Sequence, residues 1–246
     1  MQTSDLFSQQ VAVVTGANRG IGKAIARELG RRGARLGICA RGEEALNATA
    51  HEFREEGIDV FAASVDVTDE NAVEAFFAAI HSRWGRLDIL VNNAGAFDGG
   101  PLDELTLQAW NNVIGACLTG TFLCTRTAFR LMKRQRRGRI LNIGSISAQR
   151  PRAASVPYAA AKFGVWGLTQ AAALDARPYG ITVCCLHPGN VRVERREGTD
   201  DPADREPMME MDTIARAALA MLSMPPDVNW LEAIVLPRDQ LYLGRG

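Results

Sequence analysis

Residues 11–26 read VAVVTGANRGIGKAIA: an apolar run, a glycine-rich turn and the start of a helical pattern. Gly16, Gly20 and Gly22 let the backbone turn tightly, and the amide groups at the start of a helix attract an anion such as a pyrophosphate. Their GxxxGxG spacing differs from the GxGxxG of the standard dinucleotide fingerprint. Three glycines could make only a tight turn, but their place at the first strand–helix junction favours nucleotide binding.

Short β-rich runs alternate with longer helical patterns along the chain. The runs cover residues 11–16, 34–40, 59–65, 87–93, 138–145, 180–189 and 230–237, and their nearly continuous apolar character is typical of strands buried on both faces. One helical pattern extends from Leu105 to Arg134. The alternation predicts an α/β fold, a doubly wound parallel sheet of about seven strands flanked by helices. We expect a single domain over residues 1–246, in which the charged, proline-containing segment 191–211 forms a substrate loop.

Composition argues against several classes of function. The 28 basic residues balance the 28 acidic ones, so the chain lacks the basic excess of proteins that bind nucleic acid or membrane surfaces. No apolar run approaches the ~18 residues needed to span a bilayer, and residues 1–10 do not resemble a secretory signal. The five cysteines have neither zinc-site nor disulfide-framework spacing. We therefore expect a cytoplasmic protein with no metal, no nucleic-acid partner and no membrane contact.

The end of the second predicted strand distinguishes between two dinucleotides. Enzymes that prefer NAD usually place a carboxylate there for the ribose 2′-hydroxyl, whereas those that prefer NADP have an arginine for the 2′-phosphate. This strand ends in Ala40, which Arg41 follows, and Arg19 in the glycine-rich turn adds a second cation. Both arginines could be solvated surface residues, but a planar guanidinium suits a phosphate. The pattern predicts NADP(H) rather than NAD(H).

The stretch SVPYAAAKFG, residues 155–164, puts a phenol and an ammonium on one side of a helix. Tyr158 and Lys162 are four residues apart, so their side chains would project together. Alone, the pair is typical of the surface of an amphipathic helix, so its interpretation depends on the other motifs.

Three motifs in a fixed order change that interpretation. With the glycine-rich turn, NNAG at 92–95 and Ser145 thirteen residues before YxxxK, the sequence resembles the short-chain dehydrogenase/reductase family in its conventional short branch. The resemblance covers about residues 9–190. It implies a Rossmann-like fold and an oxidoreductase that transfers hydride between NADP(H) and a small carbonyl or alcohol substrate, in the direction of carbonyl reduction. Family members commonly form homodimers or homotetramers.

The resemblance also assigns roles to individual residues. Ser145, Tyr158 and Lys162 match the catalytic serine, tyrosine and lysine. A neighbouring ammonium favours the phenolate form of a tyrosine, so Tyr158 would exchange a proton with the substrate oxygen while Ser145 donates a hydrogen bond to it. The positions that match cofactor-binding motifs, besides Tyr158 and Lys162, are Gly16, Asn18, Arg19, Gly20, Ile21, Gly22, Arg41, Asp66, Val67, Asn93, Ala94, Gly95, Pro188, Gly189 and Val191.

Two departures from the family's pattern predict a less efficient site. Seven residues after Trp110, where the family has an asparagine that helps to hold a water beside the lysine, this chain has Cys117, and a thiol is a poor hydrogen-bond partner. Val193 replaces a threonine whose hydroxyl would hold the cofactor's carboxamide. A nucleotide-binding regulator or scaffold with little catalysis is therefore an alternative. An isomerase or dehydratase that uses the same tyrosine is a third.

The sequence leaves the substrate open. Ala96 and Phe97 are expected to line its pocket. Arg150 and Arg152 would either favour an anionic substrate or face solvent, and we favour solvent. His187 is expected to end a strand and not to act as a ligand.

Overall fold

Seven parallel strands form the centre of the computed structural model, which describes residues 6–194 and 206–242. Their order in the sheet is β3-β2-β1-β4-β5-β6-β7, and every neighbouring pair is parallel. Each strand lies within one of the predicted runs, so the predicted Rossmann-like sheet is confirmed. The strands are β1 (Val11–Thr15), β2 (Arg35–Ala40), β3 (Val60–Ser64), β4 (Ile89–Asn92), β5 (Gly138–Ile143), β6 (Ile181–Pro188) and β7 (Glu232–Val235).

Helices cover both faces of this sheet. They are α1 (Gly20–Arg31), α2 (Glu43–Glu55), α3 (Glu70–Trp84), α4 (Leu107–Ile114), α5 (Gly120–Gln135), α6 (Val156–Ala176) and α7 (Met211–Leu222). Ala12 and Val14 of β1 pack in the core shared with α1, α2 and α7, whereas Val11 and Val13 pack in the core shared with α3, α5 and α6. Because both of their faces are buried, the central strands read as continuous apolar runs.

The chain reverses its direction of winding at β1, which lies between β2 and β4. In open parallel sheets, a crevice forms at the carboxyl ends of the strands where the order reverses, and ligands bind there. The glycine-rich turn follows β1 and the NNAG turn follows β4, so both lie at this crevice.

The predicted helix from Leu105 to Arg134 is not continuous. A π-helical turn, Gly115–Thr119, separates α4 from α5. The chain passes close to its neighbours here, since a Cβ on Gly120 would lie 2.5 Å from a methyl group of Val67. A π-helical turn holds more residues than an α-helical turn, and both flanking segments keep helical apolar spacing, so the sequence pattern did not reveal the interruption.

A chain of buried amides and hydroxyls ties the middle of the sheet to α6. The Nδ2 of Asn92 donates to the Oδ1 of Asn142 at 2.8 Å, and the Nδ2 of Asn142 donates to the Oγ1 of Thr169 at 2.8 Å. Buried polar groups of this kind fix one register because a shift would leave them unsatisfied. The contacts therefore set β4, β5 and α6 relative to one another.

Candidate active site

The glycine-rich turn and the NNAG turn are joined by hydrogen bonds. The Nδ2 of Asn93 donates to the carbonyl oxygens of Thr15 and Gly16 at 3.1 and 3.0 Å. Gly16 has a φ of +63°, and a Cβ there would lie 2.8 Å from the Cα of Ala94. A Cβ on Gly22 would lie 2.3 Å from the Nδ2 of Asn93. Both glycines are thus required for the two turns to meet.

The two turns form one wall of a cleft of about 500 Å³, a size typical of ligand sites. Eleven residues predicted to bind the cofactor line it: Gly16, Asn18, Arg19, Gly20, Ile21, Arg41, Asp66, Val67, Asn93, Ala94 and Gly95. Ala40 and Val193, at positions that the sequence placed beside the cofactor, also line the cleft, and four further lining residues were not linked to the cofactor from the sequence: Gly42, Val65, Ala116 and Glu194. The predicted residues Gly22, Tyr158, Lys162, Pro188, Gly189 and Val191 do not line this cleft.

Arg19 and Arg41 are exposed at the edge of the cleft. Within the described part of the chain, neither guanidinium pairs with a carboxylate, whereas most other arginines of α1, α3 and α5 do. The Oγ of Ser64 donates to the carbonyl oxygen of Arg41 at 3.1 Å and fixes its backbone. Two guanidiniums without carboxylate partners beside a cleft of this size fit a phosphate of a dinucleotide.

At the start of α1, a backbone amide at the edge of the cleft already binds a carboxylate of the protein. Arg19, which precedes the helix, makes no side-chain capping bond. Instead, the amide of Gly20 donates to the Oε1 of Glu194 at 3.1 Å, across a sequence separation of 174 residues. A carboxylate therefore lies where a helix N-terminus favours negative charge. The residues of the cleft fit a pyrophosphate group, which would bring the same kind of oxygen to these amides.

Tyr158 and Lys162 lie on the same side of α6, as the spacing predicts. The Nζ of Lys162 is 5.6 Å from the centroid of the Tyr158 ring and donates to the carbonyl oxygen of Ile143 at 2.7 Å. The tyrosine ring also meets Phe97 edge-on, with ring centroids 5.2 Å apart. In the described ranges, the Tyr158 hydroxyl has no hydrogen-bond partner in the protein. It is therefore available to a substrate.

Lys162 is buried, with 6% of its surface exposed. Burial lowers the pKa of its ammonium, but the titrating groups of Tyr158, Cys117 and Cys185 raise it by more, so the pKa lies above the usual lysine value. The side chain is therefore a cation throughout the physiological range.

Ser145 follows β5 and begins a short 3₁₀ turn, Ile146–Ala148. Its Oγ accepts a hydrogen bond from the amide of Ser147 at 3.1 Å. Because the oxygen is used there as an acceptor, the hydroxyl hydrogen stays free to donate to another group. The predicted donor role is compatible with this arrangement.

Comparison with known proteins identifies the family. The sequence model of the family described as short chain dehydrogenase matches residues 10–203. The protein belongs to this family. The resemblance drawn from the motifs is thereby confirmed, and so is the prediction of an oxidoreductase at the level of the family.

Relatives in this family include reductases of acyl chains. The "Granaticin polyketide synthase putative ketoacyl reductase 1" of Streptomyces violaceoruber is 44% identical over 197 residues, which cover 79% of this chain and 72% of that protein. The 3-oxoacyl-(acyl-carrier-protein) reductase FabG of Staphylococcus aureus is 36% identical over 206 residues, 83% of each protein. A variant of the actinorhodin polyketide ketoreductase, solved with NADPH, superposes with a TM-score of 0.85 at 35% identity, covering 93% of this chain and 97% of that one.

Cys117, at the position of the short-chain dehydrogenase asparagine, lies in the π-helical turn and is buried. Its thiol donates to the carbonyl oxygen of Ala96 at 3.2 Å and accepts from the amide of Ala96 at 3.3 Å. The cysteine thus forms one donor and one acceptor contact with the segment that follows the NNAG turn, two contacts that an amide side chain could also make. The thiol therefore has partners here, although each bond is weaker than an amide's.

The loop after β6 contains Val191, which the resemblance to the family predicted to bind the cofactor. Val191 is buried and forms a bridge with Met209, so it faces the core and not the cleft. The amide of Asn190 donates at 2.8 Å to the Oε1 of Gln240, a buried residue near the end of the described chain. Sequence reasoning missed Gln240 because nothing local links it to this loop.

The predicted substrate loop, residues 191–211, is described only at its two ends, and residues 195–205 lie outside the described ranges. The ends are joined, since the amide of Arg192 donates to the carbonyl oxygen of Met209 and that of Met209 to the carbonyl oxygen of Asn190, both at 2.9 Å. Arg152 donates to the Oε2 of Glu206 at 2.6 Å and to the Oδ1 of Asn190 at 3.1 Å. The favoured interpretation of this arginine as a solvent-facing residue is wrong, because it ties the loop to the segment between Ser145 and α6.

Two further properties concern the described residues, 6–194 and 206–242. No helix there combines the length and apolar character that crossing a membrane requires. Nor do any three His, Cys, Asp or Glu side chains of those ranges group as metal ligands would.

Proposed function

We propose that this protein is an NADP(H)-dependent oxidoreductase that reduces a carbonyl group, with Tyr158 as the general acid. The observation that carries the proposal is the arrangement on α6, where the buried ammonium of Lys162 lies 5.6 Å from the centroid of the Tyr158 ring. The carbonyl that Lys162 bonds belongs to Ile143, two residues before Ser145. Residues 1–246 then act as one dinucleotide-binding domain, with segment 191–211 as its substrate loop.

The chemistry of the three side chains follows from their charges and hydrogen-bonding groups. NADP(H), when bound, supplies hydride to the carbonyl carbon or accepts it in the reverse reaction. Tyr158 gives its proton to the substrate oxygen, and the ammonium of Lys162 stabilises the phenolate that remains. Ser145 donates a hydrogen bond to the same oxygen while negative charge develops on it. In the reverse direction the phenolate takes the proton of an alcohol.

The choice of NADP(H) rests on the edge of the cleft beside Ala40, where an acidic residue would favour NAD. Arg19 and Arg41 line that edge without carboxylate partners in the described chain, so their guanidiniums can bond a 2′-phosphate. The ketoreductase solved with NADPH supports the same choice.

Loss of NADPH absorbance with a panel of carbonyl compounds tests the proposal. The relatives' names make 3-oxoacyl thioesters the first compounds to try. Wild-type protein should oxidise NADPH with at least one compound, and Tyr158→Phe should bind NADPH with unchanged affinity while losing nearly all turnover. Tyr179→Phe, which changes a tyrosine that packs on Phe129 far from the site's residues, is the matched control. Turnover by Tyr158→Phe at the wild-type rate would show that another group moves the proton.

The rival interpretation, a nucleotide-binding regulator with little catalysis, relied on Cys117 and Val193. The two hydrogen bonds of Cys117 with Ala96 weaken that support. Binding of NADPH without turnover of any carbonyl compound would favour the rival.

We also propose that the protein forms a homo-oligomer and is located in the cytoplasm. Phe122 on α5 and Phe163 and Leu174 on α6 are each about half exposed, which supports a homodimer or homotetramer that buries these helices. Light scattering coupled to size-exclusion chromatography tests this. All five cysteines are free and buried, which is compatible with the predicted cytoplasmic location.

A further inference from the structure

His187 is a buried side chain to which the sequence assigned no task. It lies near the carboxyl end of β6, and none of its surface is exposed. Its Nδ1 is 2.9 Å from the carbonyl oxygen of Ser145 and 3.3 Å from the amide nitrogen of the same residue. The amide N–H of Ser145 points towards Nδ1, but the carbonyl oxygen lies closer to it. A proton on Nδ1 makes that shorter contact a hydrogen bond from the ring to the carbonyl, since two lone pairs would otherwise face each other at 2.9 Å. The ring therefore holds the peptide group of a proposed catalytic residue.

Gly144 and Trp166 pack closely against the imidazole. A Cβ on Gly144 would lie 2.6 Å from the Nδ1 and 2.8 Å from the Cε1 of the ring, so the glycine makes room for it. Trp166 of α6 meets the other side edge-on, with ring centroids 5.6 Å apart and an angle of 84° between the planes. Because the ring is packed in this way, it can hold the groups that it contacts in place.

The direction of the Ser145 hydroxyl depends on the position of the Ser145 backbone. Its carbonyl oxygen also accepts from the amide of Ala148 at 2.9 Å, and its Oγ accepts from the amide of Ser147. These bonds shape the turn itself, whereas His187 joins it to β6 through a side chain, next to the backbone bond that the amide of Gly144 donates to the carbonyl oxygen of Leu186 at 2.8 Å. A displacement of about 1 Å at a reacting group can cost about a hundredfold in rate. The turn therefore needs an anchor outside itself.

The far side of the ring faces β7. Its Nε2 makes no hydrogen bond and lies 3.5 Å from the Oε1 of Glu232, which accepts from the Nε2 of Gln149 at 2.6 Å. Gln149 also accepts from the hydroxyl of Tyr242. Burial lowers the pKa of His187, and Lys162 lowers it too, while its bond to Ser145 and the charge of Glu232 raise it; the pKa lies below the usual histidine value. The ring is accordingly neutral at neutral pH, as a single Nδ1–H donor requires.

We propose that His187 is a positioning residue, which fixes the Ser145 peptide through its Nδ1–H and thereby aims the serine hydroxyl at the substrate oxygen. This inference rests on the proposed function, because it assumes that Ser145 acts on the reacting carbonyl. It assigns to His187 no contact with substrate or cofactor.

Two substitutions at this position separate hydrogen bonding from packing. His187→Phe keeps a ring of similar size and removes the donor. His187→Asn is smaller, yet its Nδ2 can occupy the place of Nδ1 and donate to the carbonyl of Ser145. We expect kcat for carbonyl reduction to fall between about tenfold and about a hundredfold in His187→Phe, and His187→Asn to recover most of the loss. The KM and Kd for NADPH should stay within about twofold in both, since the ring is not at the cofactor cleft.

Ser145→Ala, measured in the same assay, distinguishes a failure of the proposed role of Ser145 from a failure of the proposed role of His187. If Ser145→Ala keeps wild-type kcat, the proposed role of the serine fails and the inference fails with it. If Ser145→Ala is impaired but His187→Phe keeps wild-type kcat, only the inference is overturned. The inference also fails if Asn and Phe lose kcat equally, which would indicate packing alone.

Folding is checked by the thermal unfolding midpoint of each variant. Should His187→Phe not fold, His187→Asn and His187→Gln decide, because the glutamine amide reaches the place of Nε2 and not of Nδ1. A higher kcat for Asn than for Gln supports the proposal, and equal values or the reverse order overturn it.

Discussion

Replacing Glu194 by glutamine should tighten the binding of NADPH. The carboxylate accepts a hydrogen bond from the amide of Gly20 at the start of α1, where the cofactor's pyrophosphate is proposed to bind. Cofactor binding must then displace the carboxylate from this amide, or bring two anions close together. Glutamine keeps the length and shape of the side chain and removes its charge.

The structure limits the size of the effect. The N···O distance of 3.1 Å is longer than the 2.7–2.9 Å typical of charge-assisted bonds, and Glu194 is exposed. An anion at an exposed helix N-terminus is stabilised by roughly 0.3–1 kcal/mol at low ionic strength. Taking about 1 kcal/mol as the upper value, the Kd for NADPH should fall by up to about fivefold.

Fluorescence titration with NADPH at low and at high ionic strength measures this change. The gain in affinity should shrink at high salt because exposed charges are screened. Glu210→Gln is the matched control, since that carboxylate pairs with Arg192 and does not line the cleft. Unchanged or weaker NADPH binding by Glu194→Gln would refute the reasoning and indicate that the carboxylate assists binding.

Three further predictions concern the cofactor cleft and the buried histidine. Arg41→Asp should raise the Kd for NADPH between about tenfold and about a hundredfold and leave the Kd for NADH nearly unchanged. The control Arg54→Asp, at an exposed position of α2, should change neither Kd. Equal losses of affinity for both cofactors would contradict the 2′-phosphate argument. Gly22→Ala should abolish measurable NADPH binding, because its Cβ would lie 2.3 Å from the Nδ2 of Asn93; wild-type affinity would mean that the two turns can separate without loss. The pKa of His187 is lowered in the folded state, so the unfolded chain binds more protons. The urea midpoint of unfolding should therefore rise with pH up to about 6.5 and level off above it. If the midpoint of His187→Asn rises with pH as steeply as that of the wild type, the pH dependence belongs to other groups.

The elements of the fold were predictable because each depends on local sequence. Both faces of β1 are covered, so VAVVT reads as a continuous apolar run, and the glycine-rich turn follows it directly. The spacing of Tyr158 and Lys162 predicted their shared side of α6 for the same reason, since helical geometry alone determines it.

Contacts between distant segments were not predictable. Arg152 was expected to face solvent, yet it pairs with Glu206, which is 54 residues away along the chain. His187 meets Ser145 across 42 residues, and only the parallel pairing of β5 with β6 brings them together. The interruption at Gly115–Thr119 was missed because it leaves the apolar spacing on either side intact.

The joined ends of segment 191–211 have a consequence for how the proposed substrate loop could be varied. Val191 bridges to Met209, and Arg152 holds Glu206, so the described ends are anchored independently of whatever sequence connects residues 194 and 206. Variants that differ only between residues 194 and 206 are therefore expected to keep the described contacts of β6, Arg152 and Met209, which makes this stretch the first place to exchange sequence.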